Sequence, residues 1–376
     1  MKNQSPGHFY ARMHNKKRHF PLTGQIELTY RCNLNCIHCY GKGSEDKDRE
    51  LSTQDWKKIL EVIQEEGCIW LTLTGGDPLI RDDFLEIYSY AKKKGFIISL
   101  FTNGLGLSEE IIDYLVQFPP YAIEITLNGI TPDTYEAITQ REGSFSKVIR
   151  NIKILAEKKL PLLLKTNCLK QNKHQVGRIK AFSEELLGKP SENKYCYKYD
   201  LMIYPRLNGD KTPCQYRLSF QEMLEAQKQD ADIWQEYQEG LHMDFPDLER
   251  NRDFLYRCNS WMSQFFINPY GQLKFCDFSD KFNIDLKKTP FKEGFYKIFP
   301  ELLNEKFKTS SKCRNCRLRP ICYHCPARAF LETGDEEAPV EYYCELAKHS
   351  AKQMQVNLEQ GAPRRVENEV FMNKSR

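Results

Sequence analysis

The chain has 376 residues, 40% hydrophobic and 28% charged, which is typical of a soluble globular protein of about two domains. Its formal net charge of +4 is too small to indicate a nucleic-acid-binding protein, and no apolar run reaches the ~20 residues that span a bilayer. The 14 cysteines cluster at metal-type spacings in a long chain, which favours a reducing cytoplasm over a disulfide-rich secreted protein.

The segment 1–24 is basic and lacks an apolar core, so it predicts a solvated extension, or a docking strip for an acidic partner, rather than a secretory signal. From Gly24 onwards, short apolar runs alternate with amphipathic stretches of helical length, the pattern of repeated β-α units. The sequence predicts strands at 25–30, 69–74, 96–102, 122–127, 162–166 and 198–203, and helices at 53–66, 82–94, 108–117, 145–158 and 174–187.

Six such units predict an α/β fold, a partial (β/α)6 TIM-like barrel of parallel strands, since the closed form needs eight. Ligand sites in such sheets lie at the carboxyl ends of the strands. The first chemical motif stands at that place, because Cys32, Cys36 and Cys39 follow the first predicted strand with three and then two residues between them.

A loop that doubles back can direct these three thiols at one point, and three cysteine ligands leave one iron of a [4Fe–4S] cluster open. A zinc site is the alternative, with His38 as a fourth ligand. A covalent haem site is disfavoured because Tyr40, rather than His, follows Cys39.

The cysteine spacing resembles that of the radical S-adenosylmethionine (SAM) superfamily, in which the open iron binds the amino and carboxylate groups of SAM. The resemblance implies that an electron from the cluster cleaves SAM to a 5′-deoxyadenosyl radical. It also implies that Gly75, Gly76 and Asp77, at the end of the second strand, match the family's Gly-Gly-Glu-Pro element, with Asp in place of Glu. By position in the family, we expect further SAM contacts at His38, Asn103, Thr126, Asn128 and Arg141.

A second group of cysteines lies in the last third of the chain, where Cys258, Gly271 and Cys276 precede two Cys-x-x-Cys pairs and Cys344. The arrangement resembles the SPASM extension of radical SAM enzymes that mature subtilosin, pyrroloquinoline quinone, mycofactocin and anaerobic sulfatases. The resemblance implies an outer auxiliary [4Fe–4S] cluster on Cys313, Cys316, Cys322 and Cys344, and an inner one on Cys258, Cys276 and Cys325. On spacing alone, a zinc ribbon at residues 313–325 is the alternative.

Two further features bear on the reaction. Sulfatase-maturing relatives have an additional cysteine where this chain has residues 260–264, so we expect an inner cluster whose open iron accepts a substrate thiolate. Asp277 directly follows Cys276, and a comparable Asp in those relatives takes the proton released on substrate oxidation. We expect Asp277 to act as this base, with a structural or cluster-tuning role as the alternative.

The resemblance covers roughly residues 25–345 and implies an enzyme that abstracts hydrogen from a ribosomally made peptide and forms a thioether or carbon–carbon crosslink. The expected partners are this peptide, an electron donor such as flavodoxin or ferredoxin, and a separate leader-binding protein, with no nucleic acid and no membrane. The alternatives are formylglycine formation on a sulfatase, modification of a small metabolite or cofactor, and a non-enzymatic iron–sulfur or zinc scaffold.

The predicted domain organisation has five parts. They are a basic extension at 1–24, the partial barrel at 25–215, a helical linker at 216–257, the auxiliary-cluster domain at 258–345, and a C-terminal helix with a charged tail at 346–376. The remaining cysteines fit no metal spacing and are expected to be buried thiols, namely Cys68, Cys168, Cys196 and Cys214.

Overall fold

The computed structural model describes residues 19–42, 46–188, 196–240, 253–258 and 262–354. The strands are β1 (Thr23–Thr29), β2 (Trp70–Gly75), β3 (Ile97–Thr102), β4 (Ala122–Thr126), β5 (Leu162–Asn167), β6 (Tyr197–Asp200), β7 (Gln264–Ile267), β8 (Gln272–Lys274) and β9 (Ile284–Asp285). They form one sheet in the order β6-β5-β4-β3-β2-β1-β7-β8-β9. Pairing from β6 through β7 is parallel, and β8 and β9 add to the sheet in antiparallel pairs.

The helices are α1 (Thr53–Glu65), α2 (Phe84–Lys93), α3 (Glu109–Gln117), α4 (Pro132–Thr139), α5 (Ser144–Glu157), α6 (Val176–Leu187), α7 (Phe220–Gln227), α8 (Ala231–Gly240), α9 (Phe291–Glu293), α10 (Pro326–Thr333) and α11 (Glu341–Gln353). The short α9 continues through a π-helical turn into a 3-10 helix that ends at Asn304. Within the described ranges, no helix is long and apolar enough to cross a membrane.

The predicted α/β fold and its six β-α strands are confirmed. Helix α4 in the barrel, and helices α9 and α10 in the cysteine-rich region, were not predicted. The sixth strand is shorter than predicted, because the chain leaves the sheet after Asp200 and Met202 and Ile203 pack into two smaller hydrophobic clusters. Three of the four cysteines without a metal spacing are buried as expected, whereas Cys214 is half-buried.

The two faces of the parallel sheet have different chemistry, as β1 illustrates. Ile26 and Leu28 are completely buried in the core cluster that also contains the apolar residues of α1. The alternate residues Gln25, Glu27 and Thr29 point to the opposite face, because side chains alternate along a strand. This second face is the inner face of the partial barrel, and at β1 it is polar.

The carboxyl-terminal part of the chain continues the same sheet. Strand β7 pairs with β1 in parallel over four residue pairs, so β1 lies between β2 and β7. Phe265 of β7 is completely buried, and its ring packs edge-on against Phe291 at 4.9 Å between centroids. The region predicted to carry the auxiliary clusters is therefore joined to the barrel through backbone pairing.

Candidate functional site

The cysteine loop follows β1 and is held from one side by α4. The backbone N–H groups of Asn35 and Ile37 donate to the last two carbonyls of that helix, at 2.9 and 3.0 Å. Just beyond the helix, the Arg141 guanidinium donates to the carbonyl of Asn33. Helix α4 thus positions the cysteine loop. The role of Arg141 in binding SAM stays a prediction.

The three thiols of this loop lie close to one another. The pKa of Cys36 is raised by burial and further by the neighbouring thiols of Cys39 and Cys32. The backbone N–H of Leu34 and the side-chain amide of Asn103 both donate to the Cys32 sulfur at 3.4 Å. N–H donors directed at a sulfur stabilise its ionised form, which is the form that binds iron.

Three thiols on one short loop are a donor set for a [4Fe–4S] cluster with one iron left open. Throughout the described segments, no group of three or more His, Cys, Asp or Glu side chains is placed to hold one metal ion. Each thiolate around a cubane binds a different iron atom, so its cysteines stand further apart than four ligands around one zinc. Cys32, Cys36 and Cys39 are the side chains that would hold the cluster.

The glycine pair at the end of β2 lies directly against the cysteine loop. A Cβ on Gly75 would lie 2.1 Å from the Thr29 carbonyl oxygen, and one on Gly76 would lie 2.2 Å from that of Arg31. Gly75 also has φ +139, in the region that favours glycine. The backbone of residues 29–31 thus fills the space that a side chain at either position would need. A contact with SAM through the backbone stays a prediction.

Asp77 joins the ends of β2 and β3 from a fully buried position. Its carboxylate accepts hydrogen bonds from the Thr102 hydroxyl at 2.8 Å, the Asn103 N–H at 2.8 Å and the Leu79 N–H at 3.0 Å. Burial raises the pKa of Asp77, and these three donors act against that rise. The shorter acid that replaces the family's Glu therefore has a structural role here.

The other predicted SAM residues lie at the same edge of the sheet. His38 is buried with its Nε2 3.4 Å from the Asn128 amide nitrogen, and burial lowers the pKa of His38 to about 4. Its Nδ1 is buried and has no hydrogen-bond partner in the described part of the chain. Asn103 and Thr126 stand at the carboxyl ends of β3 and β4. An unpaired buried nitrogen suits a bound polar ligand, since such atoms are otherwise satisfied.

The carboxyl-terminal cysteines form two groups. Burial raises the pKa of Cys322, and the thiols of Cys344, Cys316 and Cys313 raise it further. These four are the cysteines that the resemblance assigns to the outer cluster, and Cys344 reaches them from α11. The thiols of Cys344, Cys316 and Cys313 are thus near enough to Cys322 for their charges to affect its pKa.

The second group contains Cys276, whose pKa is raised by burial and then by the thiols of Cys325 and, more weakly, Cys258. This is the set that the resemblance assigns to the inner cluster, and the role of all seven cysteines as ligands stays a prediction. Ser260 and Trp261, where relatives have an additional cysteine, lie outside the described residues.

Asp277 points into the polar inner face of the barrel. Its Oδ2 accepts a hydrogen bond from Gln25 at 2.7 Å, and the ammonium of Lys274 donates to its backbone carbonyl at 3.0 Å. Burial raises the pKa of Asp277. Burial and the charge of Asp277 also raise the pKa of Glu27.

Glu27 is a site residue that the sequence analysis missed. It lies on β1 between the cysteine loop and Asp277, with less than a tenth of its surface exposed. The signal was present in the sequence, because Gln25, Glu27 and Thr29 occupy every second position of an otherwise apolar strand. Such alternation predicts a polar face, but only the fold shows that this face is enclosed.

Comparison with known proteins agrees with this geometry. Residues 26–182 match the family model described as Radical SAM superfamily. The chain is 25% identical over 341 residues to an AdoMet-dependent heme synthase of Methanosarcina barkeri, a match that covers 85% of this chain and 94% of the relative. It is also 25% identical over 327 residues to a PqqA peptide cyclase of Bradyrhizobium diazoefficiens, covering 84% of each chain.

A solved structure shares the fold over most of the chain. Streptococcus suis SuiB bound to its precursor peptide SuiA superposes with a TM-score of 0.66 at 17% sequence identity. The superposition covers 87% of this chain and 77% of SuiB. The likeness therefore extends beyond the barrel into the cysteine-rich region.

Proposed function

We propose that this chain, in which residues 26–182 match the Radical SAM superfamily model, is an enzyme that modifies a ribosomally made peptide by forming a thioether or carbon–carbon crosslink. When bound, SAM and a [4Fe–4S] cluster supply a 5′-deoxyadenosyl radical that removes a hydrogen atom from the substrate. The observation that carries the proposal is the combination of the three-cysteine loop with two further cysteine groups, in a chain whose barrel and carboxyl-terminal strands form one continuous sheet.

We assign the remaining roles to residues of this chain. The outer and inner cysteine groups would hold two auxiliary clusters that accept the electron left on the substrate radical. Asp277, next to the inner group and open at Oδ1, would take the substrate proton, and Glu27 would share it. The partner proteins would be the peptide, a reductant such as flavodoxin or ferredoxin, and a leader-binding protein.

The relatives support this choice of substrate class. The PqqA peptide cyclase is named for a peptide, and SuiB was solved with a precursor peptide bound. Both matches cover most of this chain, so the likeness includes the region that would hold the auxiliary clusters. The inner group contains three cysteines, and an iron left open there would prefer sulfur, which suits a cysteine of the substrate.

The test is co-expression of the enzyme with short Cys-containing peptides encoded beside its gene, followed by mass spectrometry. The expected product has lost two hydrogen atoms, and 5′-deoxyadenosine accumulates with it. The variant Cys32→Ala/Cys36→Ala/Cys39→Ala should form neither product. Cys68→Ala is the matched control, because that buried thiol lies outside all three groups and should leave turnover unchanged.

A second candidate is modification of a cofactor precursor. It is favoured by the match to the AdoMet-dependent heme synthase, which spans 94% of that relative. In this case the reconstituted enzyme would cleave SAM and consume a haem precursor, while every peptide retained its mass. Release of 5′-deoxyadenosine without peptide modification would therefore favour this second candidate.

A further inference from the structure

A group of charged side chains lies on the inner face of β4, β5 and β6, outside the groups described above. The ammonium of Lys198 is 2.8 Å from a Glu124 carboxylate oxygen, and that of Lys165 is 3.8 Å from the same oxygen. The Lys165 ammonium also lies 3.8 Å from the centroid of the Phe101 ring. We call these four residues the lysine pair cluster.

The cluster carries one positive charge without a matching carboxylate. In the part of the chain that the structure describes, Glu124 is the acid that pairs with either lysine. An aromatic face attracts a cation but does not neutralise it. Burial lowers the pKa of Lys165 to about 8; the charge of Glu124 acts against this fall, and the charge of Lys198 adds to it. One lysine is enough to neutralise the Glu124 carboxylate, so the second lysine is available to bind an additional anion.

The position of the cluster relates it to the reaction. By strand register, Thr126 pairs with Lys165, and Lys165 pairs with Lys198. Side chains at paired positions point to the same face. The lysines therefore share the inner face with Thr126, so a group bound to them would lie near the predicted SAM contact.

We propose that Lys165 and Lys198 bind a carboxylate group of the substrate, while Glu124 holds the two ammonium groups in place. This inference rests on the proposed function, in which an Asp or Glu near the modified residue of the peptide supplies the carboxylate. A monoanion matches the single unpaired charge of the cluster, whereas a phosphate dianion does not. The ammonium groups are compact donors that suit such a ligand.

The test uses a small carboxylate as the probe, so that it does not need the peptide. The reconstituted enzyme with SAM is titrated anaerobically with 4-fluorobenzoate and with neutral 4-fluorobenzamide, and binding is followed by fluorine NMR. The wild type should bind the anion about tenfold more tightly than the amide. Lys198→Gln should lose most of this preference, and Lys165→Gln/Lys198→Gln should lose all of it.

Two control variants make the outcome decisive. Lys158→Gln, in an exposed ion pair with Asp113, should keep the preference. Lys165→Arg should retain most of it, because the charge is kept. Lys198 is half-exposed, so Lys198→Gln is expected to fold even if the double variant does not.

Equal binding of the acid and the amide by the wild type would overturn the inference, as would a preference that survives in Lys198→Gln and in the double variant. A loss of SAM affinity in Lys198→Gln would also overturn it, because the lysines would then bind the carboxylate of SAM. If the preference is present but no peptide is modified, the proposed function fails while the carboxylate site stands.

Discussion

At the residue scale, Asp77 illustrates how a residue at a predicted cofactor motif can be retained for stability. Its carboxylate accepts hydrogen bonds from the Thr102 hydroxyl and the Asn103 N–H at the end of β3, and from the Leu79 N–H in the turn after β2. In Asp77→Ala these buried donors lose their acceptor, and each costs ~1 kcal/mol or more. We expect the free energy of unfolding to fall by about 3 kcal/mol, measured by anaerobic urea titration.

Asp113→Ala is the control for this variant. The Asp113 side chain is 70% exposed and forms a surface ion pair with Lys158 at 3.1 Å. Exposed pairs contribute little, so this change should stay within ~0.5 kcal/mol of the wild type. An Asp77→Ala protein as stable as Asp113→Ala would contradict the structural role.

The approach of β2 to the cysteine loop gives a second prediction. A Cβ on Gly76 would meet the backbone oxygens of Arg31 and Tyr30 at 2.2 and 2.4 Å, and neither can move without moving the loop. Gly76→Ala should therefore displace the loop and lose the first cluster, which lowers iron content by about four atoms per chain after reconstitution.

Gly41→Ala tests the same loop without a clash, because an added Cβ there meets nothing within 4 Å. It should keep full iron content and SAM cleavage. If Gly76→Ala and Gly41→Ala bound iron equally well, the close approach would not govern assembly of the loop.

At the scale of elements, β7 connects the barrel to the cysteine-rich region. Its Phe265 is fully buried against Phe291 and Phe295. Phe265→Ala removes this packing and should cost about 4 kcal/mol. Backbone N–H groups of β7 should then lose protection in hydrogen exchange before those of β3, which is separated from β7 by β1 and β2.

Phe330→Ala is the matched change at an exposed ring, since Phe330 is 52% accessible. Its unfolding and exchange should resemble those of the wild type. Uniform loss of protection across all strands in Phe265→Ala would contradict a separate role of β7.

At the scale of the whole molecule, the continuous sheet makes the predicted barrel dependent on the rest of the chain. A fragment of residues 1–215 would lose β7 and leave β1 as an exposed edge with unpaired N–H and C=O groups. We expect this fragment to aggregate in size-exclusion chromatography, where the full chain prepared in the same way elutes at its folded volume. A folded, monomeric fragment would show that the barrel is independent.

The sequence was sufficient for those parts of the fold that depend on neighbouring residues. Six apolar runs and the amphipathic stretches between them predicted strands β1 to β6 and five helices, because periodicity and end signals are local. The helix α4 was missed since it has only eight residues and begins at a Thr-Pro pair that also reads as a turn. Its role in holding the cysteine loop was therefore missed as well.

The candidate site also has features that the sequence predicted and features that depend on tertiary contacts. The spacing of Cys32, Cys36 and Cys39 by itself determined the chemistry to expect, because ligands of one cluster lie on one short loop. Only the tertiary structure decided that β7 pairs with β1, that Glu27 shares the inner face with Asp277, and that two lysines meet one carboxylate. These contacts join residues distant in the chain, and their energy depends on burial, which no local pattern contains.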